Sequence, residues 1–311
     1  MNSRSGASTI AVALAVTGLT TLLFVGGPGG DWPRSLRHLW DLGHVGLFGL
    51  ATLLALRGGL AGWSLPRQTG AILGGALFLG AATEWLQRGS DRSASMGDLQ
   101  RDLIGAALVL AFVSPAVARL PRWRRGAARA AVLLALGWQV APMLRATADE
   151  LASRHDFPVL AGFERPFEVE RWRGSAKFQV AAAPARSGRH SLRVDLGTST
   201  YSGVTLAEFP GDWTGHRELV FSVFNPDTDP LELVCKVNDR EHRQRGHRSE
   251  DRFNRRLTVA PGWNDFTISL EEIRAAPLER EMDLTQVATL QLFAVRLPKP
   301  RTIYLDQVML R

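Results

Sequence analysis

The segment AAVLLALGWQVAPML, residues 130–144, divides the chain, because the sequence changes character on either side of it. Upstream, long runs of alanine, leucine, valine and glycine favour membrane helices. Downstream, short stretches such as ELVFSVF at residues 218–224 alternate apolar and polar residues, as half-buried strands do. The sequence therefore predicts an α + β protein whose two structural classes form separate domains.

Apolar segments predict an N-terminal transmembrane helical bundle of about five helices within residues 1–145. The segments cover residues 9–25, 42–56, 70–86, 103–118 and 130–144. Each is shorter than the roughly 20 residues that a bilayer requires, so interfacial residues must extend the helices. The alternative for residues 9–25 is a signal peptide cleaved near residues 26–30. A weakly charged N-terminus without an A-x-A cleavage pattern favours an uncleaved helix.

Arginine-rich loops stay in the cytoplasm, and this rule sets the predicted orientation. The densest group lies between the fourth and fifth segments and comprises Arg119, Arg122, Arg124, Arg125 and Arg129. With this loop inside, residues 87–102 and all residues after the fifth segment lie outside. The expected location is a bacterial inner (plasma) membrane, crossed several times, with the C-terminal domain extracytoplasmic. A segment count wrong by one would invert that domain.

Charge is unevenly divided along the chain. Residues 1–150 hold 14 arginines and 8 acidic residues, whereas the remainder holds 23 basic and 22 acidic residues. A nearly neutral C-terminal domain argues against a nucleic acid partner, because phosphate binding requires a basic surface. Cys235 is the only cysteine, so an intrachain disulfide is excluded.

Polar residues gather at one predicted membrane depth, on the outer face of the bundle. They are Asp41, His44, Glu84, Gln87, Arg92, Asp98 and Asp102. Ionisable side chains beside membrane helices are costly and are therefore functional candidates. We expect acid/base catalysis from His44, Glu84 and Asp98. Arg92 would hold a phosphate or carboxylate, and the remaining residues would bind the same substrate. The alternative is a buried polar network that holds the helices together.

Three motifs in this region resemble those of a membrane family. They are D-x-x-H-x-x-x-F at residues 41–48, E-W-x-Q at 84–87 and D-x-x-x-D-x-x-G at 98–105. Residues 35–118 thereby resemble the VanZ-like membrane family, which usually has asparagine where this chain has Asp102. The family takes its name from a protein linked to glycopeptide (teicoplanin) resistance. The resemblance implies a place in the cell envelope and does not imply a reaction.

Residues 163–311 predict an all-β jelly-roll sandwich, reached through a polar juxtamembrane linker at residues 146–162. The period-two segments cover residues 191–196, 218–224, 231–237, 265–270, 289–295 and 302–310. Turn signals such as Asn225-Pro226 and Pro261-Gly262 separate them.

Three further motifs resemble those of carbohydrate-binding-module jelly rolls of the galactose-binding-like superfamily. They are S-G-R-H-S-L-R-V at residues 187–194, P-G-W-N at 261–264 and Y-L-D-Q-V at 304–308. Such sandwiches bind sugars by stacking aromatic rings on apolar ring faces and by hydrogen-bonding hydroxyl groups. The resemblance also implies a structural calcium ion near Asp306. No other cofactor is expected. No dedicated metal spacing is present, and a divalent ion held by Asp239, His242, His247 and Asp251 is a minor alternative.

The candidate sugar-binding residues combine one aromatic side chain with a long charged connection between strands; they are Trp213, Asp239, Arg240, His242, Asp251, Arg252 and Asn254. Trp172 and Tyr201 are further stacking candidates, and Arg280 is a candidate for the same rim. For Trp213 the alternative is a core side chain. For residues 239–256 the alternative is a solvated hairpin.

Together these patterns predict a VanZ-like integral membrane protein that presents a carbohydrate-binding-like domain. Its expected task is to recognise or modify a cell-envelope glycan or lipid-linked precursor, and its expected partners are membrane lipid and that glycan. Two alternatives stay open. One is a membrane enzyme that uses the outer-face His/Glu/Asp site on a lipid-linked substrate. The other is a non-catalytic scaffold that docks another envelope protein.

Overall fold

The computed structural model describes residues 32–87 and 96–311, and the chain divides into two compact units between Arg145 and Ala146. The first unit is helical. Its elements are α1 (Arg34–Arg57), α2 (Leu65–Gln87), α3 (Met96–Val113), α4 (Pro115–Ala118) and the first part of α5 (Arg122–Asp156). Helices thus occupy four of the five predicted apolar segments. The remaining one, residues 9–25, lies outside the described residues.

The predicted number of membrane spans is wrong for the described part of the chain. About five spans were expected overall, whereas two described helices, α1 and α5, are long and apolar enough to cross a membrane. α3 is a poor span because Asp98, Arg101 and Asp102 occupy its first two turns and shorten its apolar length. The described helices therefore contain two candidate spans.

Close packing of α1 on α3 depends on a glycine. A Cβ atom at Gly105 would lie 2.2 Å from the carbonyl oxygen of Val45, so a larger residue would push the two backbones apart. Beside this contact, Phe48, Ala106 and Leu110 belong to the apolar core of the first unit. Small residues at helix crossings permit the same close approach in membrane proteins.

The second unit, residues 146–311, contains a β-sandwich. Its strands are β1 (Val159–Ala161), β2 (Trp172–Gly174), β3 (Lys177–Ala181), β4 (Ser191–Leu196), β5 (Tyr201–Leu206), β6 (Glu218–Asn225), β7 (Leu231–Asp239), β8 (Phe253–Val259), β9 (Gly262–Ser269), β10 (Val287–Val295) and β11 (Arg301–Leu310). Two short helices interrupt them, α6 (Glu241–Gln244) and α7 (Leu270–Arg274). The predicted β-sandwich is confirmed.

The strands form two antiparallel sheets. The six-stranded sheet has the order β3-β4-β11-β6-β9, with β1 paired to β11. The five-stranded sheet has the order β2-β5-β10-β7-β8. From β4 to β7 each successive strand lies in the other sheet, as in jelly rolls.

Side-chain alternation gives each sheet one core face. On β10, Leu290, Leu292 and Ala294 are fully or almost fully buried, whereas Gln291 and Phe293 between them are only partly buried. Complete burial of each leucine stabilises the fold by about 2 kcal/mol. Because successive side chains on a strand point to opposite faces, the second face of the five-stranded sheet is left open.

Residues 146–162, predicted as a linker, are structured instead. α5 continues to Asp156, and β1 pairs with β11. Within the second unit, Arg171 Nη2 lies 2.8 Å from Asp149 Oδ1, and neither side chain is more than 3% exposed. Arg171 also donates a hydrogen bond to the carbonyl oxygen of Leu160. The polar composition of this segment suggested a linker. Asp149, one of its acidic residues, instead neutralises the buried guanidinium of Arg171.

Asp149→Asn should lower the free energy of unfolding by about 3 kcal/mol, because the Arg171 guanidinium would stay buried without its countercharge. Thermal unfolding of the full-length chain in detergent micelles measures this loss. Asp156→Asn is the matched control, since its partner Arg165 is 48% exposed and exposed pairs contribute roughly 0–1 kcal/mol. Equal losses for the two variants would contradict the prediction.

Candidate functional site

A groove of about 380 Å³ crosses the open face of the five-stranded sheet. Its lining side chains come from β5, β7 and β10, from the end of β2 and from the residue before β8; they are Ser175, Tyr201, Val204, Thr205, Lys236, Arg252, Gln291 and Phe293, with Gly174 and Gly203. We call it the open-face groove. Its volume lies within the range of sites for small organic ligands.

Two aromatic rings form one part of the open-face groove. Tyr201 is 62% exposed, and its ring meets Phe293 edge to face with 5.8 Å between the ring centroids. Gly203 is paired directly with Phe293 across the strands, and a Cβ atom at Gly203 would lie 2.4 Å from the Cβ atom of Phe293. Glycine is therefore required opposite Phe293. The exposed ring of Tyr201 is available to stack on a ligand.

A row of hydrogen-bonding side chains crosses the same face. Thr205 is paired with Gln291, Gln291 with Lys236, and Lys236 with Asn254. Arg173 extends the row on β2, opposite Thr205. Cross-strand partners lie close enough to contact one ligand together. Hydroxyl, amide and cationic groups in one row suit a molecule with many oxygen atoms.

Lys236 is the unusual member of this row. Its amine is half-buried, and burial lowers the pKa of Lys236 to about 8, with the charge of Arg252 acting in the same direction. The protonated amine therefore destabilises the folded chain at neutral pH, and this cost falls as the pH rises from about 8 towards the ordinary amine pKa of 10.5. Lys236 has no hydrogen-bond acceptor or ion-pair partner among the described residues.

Lys236→Met should raise the free energy of unfolding at pH 7 by on the order of 1 kcal/mol, because it removes a half-buried charge and keeps the aliphatic stem. The gain should shrink near pH 10, where the folded wild-type amine is already neutral. Chemical unfolding followed by tryptophan fluorescence at both pH values measures it. Lys177→Met, at an exposed position in the other sheet, should change little. A Lys236→Met chain no more stable than wild type would refute the prediction.

The charged connection between β7 and β8 forms a closed ion cluster beside the groove. Arg280 lies 2.7 Å from Asp251 and 2.8 Å from Asp239, and its side chain is 10% exposed. The backbone N–H of His242 donates to Asp239, and His242 Nδ1 lies 2.9 Å from the carbonyl oxygen of Asp251. Three predicted sugar-binding residues, Asp239, His242 and Asp251, therefore meet here, and both carboxylates already accept hydrogen bonds within the cluster.

The protonation states of this cluster follow from its contacts. Burial opposes ionisation of Asp239, but hydrogen bonds from Arg280, Asp283 and His242 hold the pKa of Asp239 below its usual value. A hydrogen bond from Arg280 likewise lowers the pKa of Asp251. Burial lowers the pKa of His242, which favours the neutral imidazole. Asp239 and Asp251 are therefore ionised, and both contact Arg280. We call these three residues the brace, which holds Arg252, the residue before β8, at the groove.

The other predicted residues of the β unit are scattered. Trp213 is fully buried and packs against Phe209, so its ring is not available to stack on a sugar. Trp172 is 5% exposed and also belongs to the core. Arg240 and Asn254 are exposed. Among the candidates, Tyr201, Arg252 and Asn254 lie on the open face or line its groove.

The environment of Asp306 does not fit the calcium ion implied by the resemblance. Its carboxylate accepts hydrogen bonds from the backbone N–H groups of Arg186, Ser187 and Gln307, at 2.6–3.0 Å. Calcium takes six to eight oxygen ligands, whereas these neighbours present hydrogen atoms. Within residues 32–87 and 96–311, no group of three or more His, Cys, Asp or Glu side chains is placed to hold a metal ion.

The first unit contains a separate polar cluster at α1 and α3. His44 Nδ1 lies 2.9 Å from Asp102 Oδ1, and Asp102 is buried. Arg101 lies 2.6 Å from Asp98 and 3.8 Å from Asp41. The polar positions predicted to share one membrane depth on these helices therefore do come together. His44 was expected to act with Glu84 and Asp98, whereas its contact here is with Asp102.

Part of the predicted outer-face site lies beyond the structural description. Glu84 and Gln87 belong to α2, but their side chains lie outside the described residues, as does the whole of Arg92. Their proposed roles stay predictions.

The His44–Asp102 pair is positioned by the glycine-dependent contact of α1 with α3. Val45 follows His44 directly in the sequence, and Gly105 lies one turn after Asp102.

Sequence reasoning missed most of the open-face groove. Lys236, Gln291 and Phe293 lie in segments that were correctly predicted as strands, LELVCKV and TLQLFAV. The alternation of apolar and other residues along each strand could have identified these side chains. In both segments the leucines mark the buried phase, so the residues between them belong to the open face. Pairing between distant strands, which local sequence does not reveal, brings those residues together.

Solved structures of carbohydrate-active proteins are similar to part of the chain. The family 11 carbohydrate-binding module from Clostridium thermocellum, in complex with a β-1,3-1,4-mixed-linked tetrasaccharide, is 16% identical with a TM-score of 0.38, over 49% of this chain and 93% of that one. The xylan-binding domain from Paenibacillus barcinonensis is 17% identical with a TM-score of 0.35, over 50% of this chain and 94% of that one. An exo-β-agarase is 13% identical with a TM-score of 0.39, over 49% of this chain and 24% of that one.

No protein-family model matches the chain, and no curated protein matches it in sequence. The resemblance of residues 35–118 to the VanZ-like family therefore stays a prediction.

Proposed function

We propose that the chain is an integral membrane protein whose β-sandwich binds a cell-envelope glycan in the open-face groove. The observation that carries the proposal is the groove itself, in which an exposed tyrosine, Tyr201, adjoins a row of hydrogen-bonding side chains. Sugars present apolar ring faces to aromatic side chains and hydroxyl groups to polar ones. The groove offers both kinds of contact on one rigid sheet.

The membrane location is supported by the surface of α5. Its apolar stretch is entirely unburied, with Leu134 at 76% and Trp138 at 78% exposure. A monomer in water rarely exposes so large an apolar patch, whereas lipid would cover it. Arginines crowd the N-terminal end of α5, and the positive-inside rule places that end in the cytoplasm. The β unit, at the other end of α5, is then extracytoplasmic.

Reporter fusions test this orientation. Alkaline phosphatase fused after Arg311 should be active in intact bacteria, because it folds only outside the cytoplasm, and green fluorescent protein at the same site should be dark. Fusions to a chain ending at Gly126, within the arginine-rich loop, should give the opposite pair of results. Fluorescence from the fusion after Arg311 would place the β unit in the cytoplasm and refute the proposed orientation.

Glycan binding is tested with the full-length chain in lipid nanodiscs and a panel of peptidoglycan fragments, neutral glucans and acidic oligosaccharides. Tyr201→Ala should weaken the binding of any glycan bound by the wild type by about tenfold, since a stacked aromatic surface contributes on the order of 1 kcal/mol or more. Tyr201 is 62% exposed, so its truncation leaves the apolar core intact. Isothermal titration measures the affinities.

Leu278→Ala is the matched control for Tyr201→Ala, because Leu278 is 81% exposed and does not line the groove. It should bind like the wild type. If no member of the panel binds, or if Tyr201→Ala binds as tightly as Leu278→Ala, the glycan-binding proposal fails and docking of a protein partner takes its place.

A second candidate function, catalysis on a lipid-linked envelope substrate, is favoured by the His44–Asp102 contact of 2.9 Å. A carboxylate on Nδ1 fixes the imidazole tautomer and leaves Nε2 to exchange a proton. His44→Asn distinguishes the two functions when a turnover assay with a lipid-linked substrate accompanies the titrations. Under the binding function it leaves glycan affinity unchanged, whereas under the catalytic function it abolishes turnover of a lipid-linked substrate.

A further inference from the structure

The open-face groove carries an unbalanced charge. Lys236 and Arg252 line it, and none of its described lining residues is acidic. The strand pairing places Arg173 and Arg256 on the same face of the sheet. These four cations belong to a part of the chain that is close to neutral overall, with 23 basic and 22 acidic residues after residue 150.

Several arginines elsewhere in the second unit are paired with carboxylates. The matched pairs include Arg186–Asp265, Arg193–Asp195, Arg255–Glu272 and Arg280–Asp239. Arg173, Lys236, Arg252 and Arg256 form no ion pair with any residue that the structure describes. On the same face Glu232 accepts the hydroxyl of Thr258, its partner on β8, rather than a cation. The open face of the five-stranded sheet therefore holds four cations without ion pairs in the described chain, and two of them line the groove.

Two of these cations are also desolvated. Lys236 is half-buried without a countercharge, and Arg252 Nε is buried with no hydrogen-bond partner within the described chain. A buried donor without an acceptor costs folding free energy, and so does a half-buried charge without a partner. An anion bound in the groove would remove both costs at once. A carboxylate or sulfate oxygen is an acceptor of this kind.

We propose that the open-face groove selects acidic glycans, in which a carboxylate or sulfate group binds Lys236 and Arg252 while the sugar ring contacts Tyr201 and Phe293. This inference rests on the proposed glycan-binding function and adds the class of glycan. A guanidinium fork binds carboxylate and sulfate oxygens in pairs, and charge-assisted bonds of this kind are about twice as strong as neutral ones. A neutral glycan would leave both cations unmatched.

The test uses the full-length chain in phosphatidylcholine nanodiscs, whose lipid carries no net charge. Three oligosaccharides of matched length serve as probes: an oligogalacturonate for carboxylate, a sulfated galactan fragment for sulfate, and a neutral β-glucan fragment. Isothermal titration gives each affinity at two salt concentrations. At least one acidic probe should bind about tenfold more tightly than the neutral probe, and its affinity should fall as salt is added.

The variant Lys236→Gln/Arg252→Gln removes both charges and retains hydrogen-bonding side chains. It should lose about tenfold in affinity for the acidic probe and clearly less for the neutral probe, because glutamine keeps a hydrogen bond and removes only the charge. Lys177→Gln/Arg189→Gln is the matched control, since it removes the same two charges from residues that do not line the groove. Its affinities should equal those of the wild type.

A pH series supplies a readout that does not depend on any variant. Affinity for the acidic probe should decline between pH 7 and pH 9, because the amine of Lys236, with its pKa lowered to about 8, loses its proton there. Affinity for the neutral probe should stay constant over the same range.

The outcomes separate this inference from the function beneath it. Equal affinity for neutral and acidic probes, or an unchanged affinity in Lys236→Gln/Arg252→Gln, overturns the selection of acidic glycans and leaves glycan binding intact. Binding of a single-stranded oligonucleotide in place of all three probes overturns the selection too, because phosphate would then be the anion. Binding of no saccharide overturns both proposals.

Discussion

Apolar packing between the two sheets decides which side chains the β-sandwich offers to its surroundings. Leu233 and Cys235 on β7, with Leu290 and Leu292 on β10, are buried against the opposite sheet. Since side chains alternate, burying these residues commits Lys236 and its neighbours to the other face. A slip of one residue in the pairing would exchange the two faces, so the core also fixes the register of the groove.

The division of the chain and most of its elements follow from local patterns. Apolar length predicts helices and period-two alternation predicts strands, because each depends on residues near in sequence. The groove depends on the pairing of β5, β10 and β7, which are far apart in the chain. Tyr201 was recognised as an exposed aromatic, but its neighbour Phe293 was not, since nothing local to either residue reveals the other.

The charged connection shows a different limit of sequence reasoning. Its composition correctly marks residues 239–252 as unusual. Composition does not say whether acidic and basic groups face a ligand or each other. The decisive partner, Arg280, comes from a distant segment, and it converts Asp239 and Asp251 from candidate ligand contacts into a brace. Trp213 shows the same limit, because a tryptophan near a turn can equally pack in the core or stack on a sugar.

In the first unit, the sequence located a cluster but not its pairing. Asp41, His44, Asp98 and Asp102 meet as the shared depth predicted, and the choice of Asp102 for His44 comes from the helix contact at Gly105. The carboxylate of Asp102 gives the imidazole a negative neighbour, so this contact sets the charge of the cluster as well as its shape.

The brace at Arg280 has a consequence for the compartment in which the β unit folds. It ties the end of β7 to the start of β8 across a long charged connection, a place where many secreted domains use a disulfide. With a single, buried cysteine, this chain closes the loop with charge instead. Thiol reductants therefore leave the closure untouched, whereas strong acid, by protonating Asp239 and Asp251, opens it. The β unit is built to hold its shape in reducing and oxidising surroundings alike.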